Sequence, residues 1–257
     1  PTRRSSDLIE RTNTSHPYDE FAGNDAGIMD FRQSEFALTL MGGWNWASHP
    51  LVNALSVNQF KGHANRILGQ TLDASYSSET KQLEGSLKAL DGGKLYKIEM
   101  EDEHTYEFKG QVNATIQPVT LHSGWNWLGY PFTGMQTITT ALFDSPVEEG
   151  DIMLGQNGFS IYSKKEGWVG TLSTLSAGVG YMYKSGSDKT VRFNPALQSA
   201  RLLRSRQKSA DELRYGFDKY AYPDVMGIIG QLTAPGGTMD VSNFVVLAYV
   251  DGQCRGV

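Results

Sequence analysis

Three aromatic residues in the second half of the chain have the types and spacing of a sugar-binding surface. Phe159, Tyr162 and Trp168 lie within ten residues of one another, and rigid aromatic faces are common platforms for stacking against carbohydrate rings. The competing interpretation is packing in a core or along a sheet edge, which is the commoner use of such residues. Trp168, Tyr162 and Phe159 are therefore candidate ligand contacts, although a structural role is favoured.

No catalytic or metal-binding motif accompanies these aromatics. The chain lacks a phosphate-binding loop, a zinc-protease motif and a nucleophile elbow between a strand and a helix. The acidic run at residues 99–103 lacks the spaced oxygen ligands and the turn glycine of a calcium loop, so we predict a solvated hairpin tip. In the internal repeat described below, His49 aligns with Tyr130 and His122 with Met41, and the other histidines are scattered. We therefore predict no catalytic residue, no metal site and no cofactor.

The tetrapeptide Gly-Trp-Asn-Trp occurs twice, at residues 43–46 and 124–127, and contains four of the five tryptophans. Alternating apolar residues precede it, as at Phe36, Leu38 and Leu40, which is typical of a strand with one buried face. We predict a hairpin whose three-residue loop pairs Leu40 with the first Trp and Leu38 with the second, so that the tryptophans face the core and the Asn faces away. The third loop position needs positive φ, which glycine adopts readily. The structural motif residues are Gly43, Trp44, Trp46, Gly124, Trp125 and Trp127.

Each copy of the tetrapeptide opens a longer internal repeat. The two tetrapeptides are 81 residues apart, and Leu-Gly-Gln at residues 68–70 recurs 86 residues later at 154–156. Matched blocks that keep their order, with small insertions between them, indicate duplicated modules with variable loops. We therefore predict one β-module at 35–112 and a second at 113–195, each long enough to fold as a domain.

The fold class predicted is all-β: mainly antiparallel β-modules in tandem, each with one short helix, followed by a truncated third β-module. A basic stretch rich in Ser, Gln and Ala separates the second and third modules, and it indicates an exposed linker or, alternatively, a site for an arginine-directed protease. The first eight residues look like the in-frame translation of a sequencing-library adapter. The remaining predicted ranges are 1–8 (adapter artefact), 9–34 (tail of a preceding module or a linker), 196–217 (basic linker) and 218–257 (truncated β-module).

Composition and charge narrow the classes of partner. The 257 residues carry 23 Lys and Arg against 28 Asp and Glu, and without the adapter-like residues Arg3, Arg4 and Asp7 these counts become 21 and 27, a net charge of about −6. This acidity argues against nucleic acid as a partner, and no segment is apolar enough for membrane insertion. Cys254 is the single cysteine, so a disulfide within the chain is excluded.

The order of the motifs resembles repeat modules of large secreted or surface multidomain proteins of Bacteroidota. In the second repeat, Gly-Trp-Asn-Trp is followed by Pro, Gly-Asp-Ile, Gly-Trp-Val-Gly-Thr-Leu and Gly-Val-Gly-Tyr-Met-Tyr. Residues 248–257 look like the companion module of such proteins, which carries an Ala-Phe-Val-x-x-Glu-Cys-Arg-Gly strand pair. The resemblance covers residues 35–195 and 218–257. It implies an extracellular or cell-surface location and a non-catalytic context.

The leading functional hypothesis is a non-enzymatic structural or adhesive repeat segment of an exported bacterial surface protein, with a glycan or a host or surface protein as its partner. The alternative is a set of carbohydrate-binding accessory modules of a secreted glycosidase or peptidase. A third class is an enzyme with a site formed between modules. The first repeat has Leu95 where the second has Gly180, and it has no Trp matching Trp168. These differences argue against a ligand that both copies share.

Overall fold

The computed structural model describes residues 31–195, 214–226 and 245–256. These residues belong to one compact unit that begins at Phe31. Strands make up most of its regular structure, and every described strand pair is antiparallel. The predicted all-β fold is therefore confirmed.

Two sets of nine strands follow one another along the chain. The first set is β1 (Phe31–Leu40), β2 (Gly43–Ala47), β3 (Leu55–Ser56), β4 (Ala64–Leu68), β5 (Asp73–Ser77), β6 (Gln82–Gly85), β7 (Ala89–Leu90), β8 (Tyr96–Met100) and β9 (His104–Asn113). The second set is β10 (Gln117–Leu121), β11 (Gly124–Gly129), β12 (Met135–Thr137), β13 (Ile152–Gly155), β14 (Gly158–Ser163), β15 (Gly167–Gly170), β16 (Thr174–Ser176), β17 (Gly180–Ser185) and β18 (Lys189–Phe193).

The two sets have the same topology. In the first set, β1 pairs with β9, β3 pairs with β7, and a five-stranded sheet has the order β2-β8-β4-β5-β6. In the second set, β10 pairs with β18, β12 pairs with β16, and the five-stranded sheet has the order β11-β17-β13-β14-β15. We call these two sets the first and second repeat. In each five-stranded sheet, the strand that carries the Gly-Trp-Asn-Trp motif lies at one edge.

Each repeat also contains a single helical turn at the same place in its strand order. The first repeat has a 3₁₀ helix at Val57–Phe60, which Ser56 caps by accepting a hydrogen bond from Asn58 N–H. The second has the α-helix α1 at Ile138–Ala141, which Thr137 caps by accepting from Thr140 N–H. Hydroxyl side chains at these positions satisfy amides that a helix start leaves unpaired.

Each repeat has its own hydrophobic core beneath its sheets. The predicted apolar face of β1 is confirmed, because Phe36, Leu38 and Leu40 are all buried. Phe60 packs between the aromatic rings of β9, with its centroid 4.8 Å from that of Tyr106. The core of the second repeat is centred on these buried side chains: Leu121, Leu128, Tyr130, Met153, Leu175, Tyr183, Val191 and Phe193.

The predicted hairpin between β1 and the motif strand β2 is wrong. β1 pairs with β9, so that Leu40 lies opposite His104, whereas β2 pairs with β8, so that Trp46 lies opposite Lys97. The chain therefore passes from one sheet to another where the motif begins. Gly43 has a φ of 90° and its counterpart in the second repeat has 98°, so the positive φ predicted for these glycines is confirmed, although they lie at a corner between sheets.

The motif asparagine explains this corner. Asn45 accepts a hydrogen bond from Met41 N–H at 2.9 Å and donates to Met41 O at 2.7 Å. Asn126 makes the same two bonds to His122, each at 2.8 Å. A side chain that holds both polar groups of one residue replaces the ladder bonds of a hairpin. Asn45 is consequently buried, which corrects the prediction that it faces away from the interior.

The remaining described residues include one further strand pair, β19 (Ala248–Val250) with β20 (Gln253–Gly256). Asp251 and Gly252 between them both have positive φ, as a tight hairpin turn requires. The predicted range 1–8 lies wholly outside the described residues, as do residues 9–30 of the range 9–34, residues 196–213 of the range 196–217, and residues 227–244 and 257 of the range 218–257. Within the described part of the chain, no helix has the length and apolar character needed to cross a membrane.

Candidate functional site

The repeated motif lies where the two repeats contact each other. Gln156 of the second repeat accepts a hydrogen bond from Trp46 N–H at 2.9 Å and donates to Trp44 O at 2.7 Å. Gln70 of the first repeat makes the same two bonds to the second motif, accepting from Trp127 N–H at 3.1 Å and donating to the carbonyl two residues earlier at 3.0 Å. Each glutamine thus binds the edge strand of the opposite repeat.

A second pair of hydrogen bonds has the same reciprocal arrangement. Ser48 N–H donates to Gly178 O at 3.2 Å, and the equivalent Gly129 N–H donates to Gly93 O at 2.8 Å. Contacts in which residue i of one unit meets residue j of the other, and j meets i, are the signature of a two-fold interface. The two repeats therefore pack as the halves of a symmetric dimer do, within one chain. We call this contact the repeat interface.

Small residues allow the backbones to approach closely at the repeat interface. A Cβ atom on Gly129 would overlap the Ser48 side chain, and one on Gly180 would overlap Leu95. Leu95 occupies the position in the first repeat that Gly180 occupies in the second, as the strand pairing shows. The sequence difference between the copies at this position thus has a structural cause, because the leucine of one repeat fills the space left by the glycine of the other.

A buried lysine links the two motifs. The Nζ atom of Lys97 lies 4.7 Å from the ring centroid of Trp46 and 4.6 Å from that of Trp127. Its side chain is only 4% exposed, and its Nζ also lies 2.5 Å from Asp224 Oδ1. An ammonium group between two indole faces is attracted by both, with about 2 kcal/mol for a desolvated contact. Lys97 therefore joins the first repeat, the second repeat and the segment around Asp224.

Residues 214–226, which we call the covering segment, lie against the first motif. Tyr220 O accepts a hydrogen bond from Trp44 N–H at 2.7 Å, and Pro223 O accepts from the indole N–H of Trp46 at 2.7 Å. Together with the ion pair of Asp224, these bonds attach residues 220–224, which follow a turn at 219–220, to the edge of β2. The covering segment helps to bury Trp46, the second tryptophan of the first motif, which is only 2% exposed.

The motif glycines provide a matched test of this attachment. A Cβ on Gly43 would lie 2.5 Å from Tyr220 O, whereas one on Gly124 would meet no described atom within 4 Å. Both glycines have positive φ, so Gly43→Ala and Gly124→Ala should each lose about 1 kcal/mol through backbone strain. We expect only Gly43→Ala to release the covering segment, with faster hydrogen exchange of the Trp44 amide and of the Trp46 indole N–H. Equal exchange in the two variants would contradict this contact.

The structure separates the three aromatics predicted as ligand contacts. Trp168 and Tyr162 face each other across β14 and β15, with ring centroids 5.5 Å apart and planes inclined by 62°. Trp168 also packs edge-on against the buried ring of Tyr183. Phe159 lies an odd number of residues from Tyr162 on β14 and therefore projects from the opposite face of the sheet. Two of the three lie together, as an inclined pair rather than a flat platform, and their contact with a ligand stays a prediction.

Two of the histidines in the described residues lie together, and the others lie apart from them. His63 Nδ1 lies 2.8 Å from Asp102 Oδ1, and the His63 ring stacks on that of His104 at 3.7 Å. His122 forms a 3.6 Å ion pair with Asp188. The acidic residues 101–103 are exposed as predicted, but they connect strands of different sheets rather than the two strands of one hairpin, which corrects the predicted hairpin tip.

His49 is buried beside the repeat interface. Its Nε2–H donates to Leu90 O at 2.8 Å, while its Nδ1 has no hydrogen-bond partner among the described residues. Burial lowers the pKa of His49, and the contact with Leu90 and the charge of Asp91 oppose that shift only partly. The neutral imidazole is therefore the form that the folded chain accommodates.

We expect this burial to make stability depend on pH. The unfolded chain takes up a proton on His49 near pH 6.5, whereas the folded chain does so only at lower pH. The contribution of His49 is therefore complete above about pH 6.5 and is lost as the pH falls towards the lowered pKa, by at most about 1.4 kcal/mol per pH unit. Urea unfolding at pH 7.5 and pH 5.0 should show a smaller loss in His49→Gln, which keeps a donor for Leu90 O. An identical loss in both proteins would refute the effect.

Sequence reasoning missed Lys97 and placed no weight on the two glutamines. Gln70 and Gln156 could have been found, because they occupy matched positions in the internal repeat. Lys97 had no such signal, since Met182 stands at the equivalent position of the second repeat. Lys97 stands among alternating apolar residues in the sequence. Its burial can be inferred only when the surface that packs against it is known.

The repeat interface is the principal candidate site. No protein-family model, curated protein or solved structure matches the chain. Among the described residues, no group of three or more His, Cys, Asp or Glu side chains is arranged to hold a metal ion. Some of the described side chains recur in both repeats and also lie together in the structure, and these belong to the repeat interface. It can fix the two repeats relative to each other, and its first motif strand binds the main chain of the covering segment.

Proposed function

We propose that this chain is a non-enzymatic structural segment of an exported bacterial surface protein, in which two repeats form one rigid spacer. The observation that supports this proposal is the reciprocal bonding of Gln70 and Gln156 to the two motif strands. A module with its own ligand site is expected to repeat the ligand-binding residues. In this chain the repeated motif residues instead form the contact between the two repeats.

The composition of the repeat interface supports a permanent contact. It combines main-chain hydrogen bonds with the ring of Trp46, the ring of Trp127 and the buried ammonium of Lys97. Aromatic and cationic side chains packed in this way carry much of the energy of stable interfaces. A pair of repeats joined like this transmits force and orientation between the domains on either side, whereas a flexible tether does not.

The surface or extracellular location belongs to the same proposal. It is supported by the resemblance of the motif order to repeat modules of Bacteroidota surface proteins. A glycan or a host or surface protein is the proposed partner of the exposed loops, and the acidic net charge of −5 for the whole sequence disfavours nucleic acid. An antibody raised against the chain should label intact cells of a Bacteroidota strain that carries the gene. Labelling only after lysis would reject the location.

Rigidity is the property that tests the structural role. Tyr76→Cys on β5 and Val169→Cys on β15 place one exposed spin label on each repeat, in a chain whose only native cysteine is replaced by Cys254→Ser. Electron–electron distance measurements should give one narrow distribution. Adding Gln70→Ala and Gln156→Ala should broaden it, whereas Gln82→Ala on β6, at the far edge of the first sheet, should not. A broad distribution in the parent chain would reject the rigid spacer.

Carbohydrate binding is a second proposal, and the half-exposed pair of Tyr162 and Trp168 near a sheet edge supports it. The inclination of the two rings leaves one indole face for a sugar ring, which favours a weak single-ring contact. A glycan array probed with the full chain and with Trp168→Ala tests this proposal. Binding that is lost in Trp168→Ala and kept in Trp125→Ala would support it, and absence of binding to every glycan would reject it.

A further inference from the structure

The two motif strands each bind a glutamine of the opposite repeat, and they differ in what else lies along the same outer edge. The covering segment occupies the edge of β2, where Gly43 contacts Tyr220. At the equivalent edge of β11, Gly124 has no described atom within 4 Å of its potential Cβ, and Trp125 is 41% exposed. Approximate two-fold symmetry relates the strands, so the same kind of binding edge is present twice and is covered once in the described residues.

The amide of Trp125 points out of its sheet. Trp44 lies opposite Glu99 and donates its N–H outwards to the covering segment, and Trp125 lies opposite Lys184 at the equivalent place in its own sheet. Within residues 31–195, 214–226 and 245–256, no carbonyl group accepts from the Trp125 N–H. An outward amide on an edge strand is a ready donor for the main chain of an added extended segment.

The charges beside the edge of β11 indicate the charge of the peptide segment that it would bind. The first repeat has Glu99 opposite its first motif tryptophan, and the second repeat has exposed Lys184 there. The buried cation that binds Asp224 in the first repeat is replaced by Met182 in the second. The covering segment therefore does not have its charged partner at the second edge, whereas an acidic side chain beside the carbonyl that accepts from Trp125 would meet Lys184.

We propose that the edge of β11 binds an acidic peptide segment of a partner protein. The main chain of the partner accepts the Trp125 N–H, as Tyr220 O accepts from Trp44. A carboxylate of the partner pairs with Lys184, and an apolar side chain of the partner covers the exposed indole of Trp125. The covered edge of β2 provides the geometry for this interaction, and the change from Glu99 to Lys184 sets the preference for an acidic ligand.

Two synthetic peptides test the proposal with the full chain. The first has the sequence of residues 217–226 with Lys219→Glu, which places a carboxylate next to the tyrosine that corresponds to Tyr220. The second has lysine at positions 218, 219 and 224, the three positions that are acidic in the first. Amide chemical shifts at Trp125 and Lys184 should change saturably with the acidic peptide, with affinity at least about tenfold higher than that for the basic peptide, because opposite charges steer binding and like charges oppose it.

Matched variants separate this edge from other surfaces. Lys184→Glu should weaken binding of the acidic peptide about tenfold, whereas Lys88→Glu, which changes an exposed lysine elsewhere on the first repeat, should leave it unchanged. Absence of saturable binding, or equal binding to Lys184→Glu, would overturn the proposal. Sedimentation of the chain alone adds a further check. A dimer that Lys184→Glu dissociates would identify a second copy as the occupant and would overturn the assignment to a partner protein.

Discussion

Trp46→Ala is expected to lower the free energy of unfolding by about 3 to 5 kcal/mol, the usual loss for truncating a buried large aromatic side chain. Trp46 is 2% exposed, so its removal leaves a cavity at the repeat interface. The variant also leaves Pro223 O without the indole donor and removes one of the two rings around Lys97. The loss should be measured by urea unfolding followed by circular dichroism, because changes in tryptophan fluorescence would confuse the comparison.

Trp125→Ala is the matched control for this variant. Trp125 belongs to the other copy of the same tetrapeptide, but it is 41% exposed. Its substitution should lower the free energy of unfolding by less than about 1 kcal/mol. Losses of similar size in Trp46→Ala and Trp125→Ala would show that Trp125 is as buried as Trp46 in solution and would contradict the described exposure of Trp125.

Asp151→Ala is expected to have a comparable effect in the second repeat, about 3 to 5 kcal/mol. Asp151 is 1% exposed, and its Oδ2 lies 2.6 Å from Nζ of Lys189, which is 6% exposed. The same oxygen accepts from Tyr183 OH at 2.7 Å and from Glu148 N–H at 2.8 Å. Burial, with the hydrogen bond and negative charge of Asp151, raises the pKa of Tyr183, so the phenol stays protonated as a donor. Without the carboxylate, the Tyr183 hydroxyl and the Glu148 amide lose their acceptor, and the buried ammonium of Lys189 keeps only Glu148 Oε2, at 3.0 Å.

Two further variants serve as comparisons for Asp151→Ala. The double variant Asp151→Leu with Lys189→Met removes both buried charges, so it should recover part of the loss, as apolar replacements of buried ion pairs do. Glu35→Ala removes a partner from the exposed pair with Lys109, and it should not change stability measurably. Urea unfolding of the four proteins provides the comparison. A double variant less stable than Asp151→Ala would contradict the role of the buried charge.

Local features of the fold could be predicted from the sequence because local physics determines them. The alternation of Phe36, Leu38 and Leu40 indicates which face of β1 is buried, whatever strand lies beside it. The positive φ of Gly43 likewise follows from the need for a sharp corner before a strand. These features depend on a few neighbouring residues.

Strand pairing could not be predicted in the same way. The partner of β1 is β9, and Leu40 lies opposite His104 after more than sixty intervening residues. A hairpin with β2 satisfies the same apolar alternation, so periodicity alone does not distinguish the two pairings. The side-chain bonds of Asn45 to Met41 favour the observed corner, and their effect becomes clear only when the second sheet is in place.

The candidate site was predictable only in part for a related reason. The tetrapeptide marks the strands of the repeat interface, but identical letters at Trp46 and Trp127 have different surroundings. Burial of Trp46 depends on Pro223, which is 177 residues away, and the cation between the rings comes from β8. Contacts between distant segments decide which tryptophan is an anchor and which is exposed.

Leu95 and Gly180 act as a knob and a hole, and this has a consequence for assembly. Two repeats of the first kind would bring leucine against leucine, and two of the second kind would leave an empty space between glycines. The unlike pair fits where both like pairs fit poorly, so a first repeat selects a second repeat and not another first one. The difference at this position thus makes the contact directional, and it disfavours pairing between identical repeats of two chains.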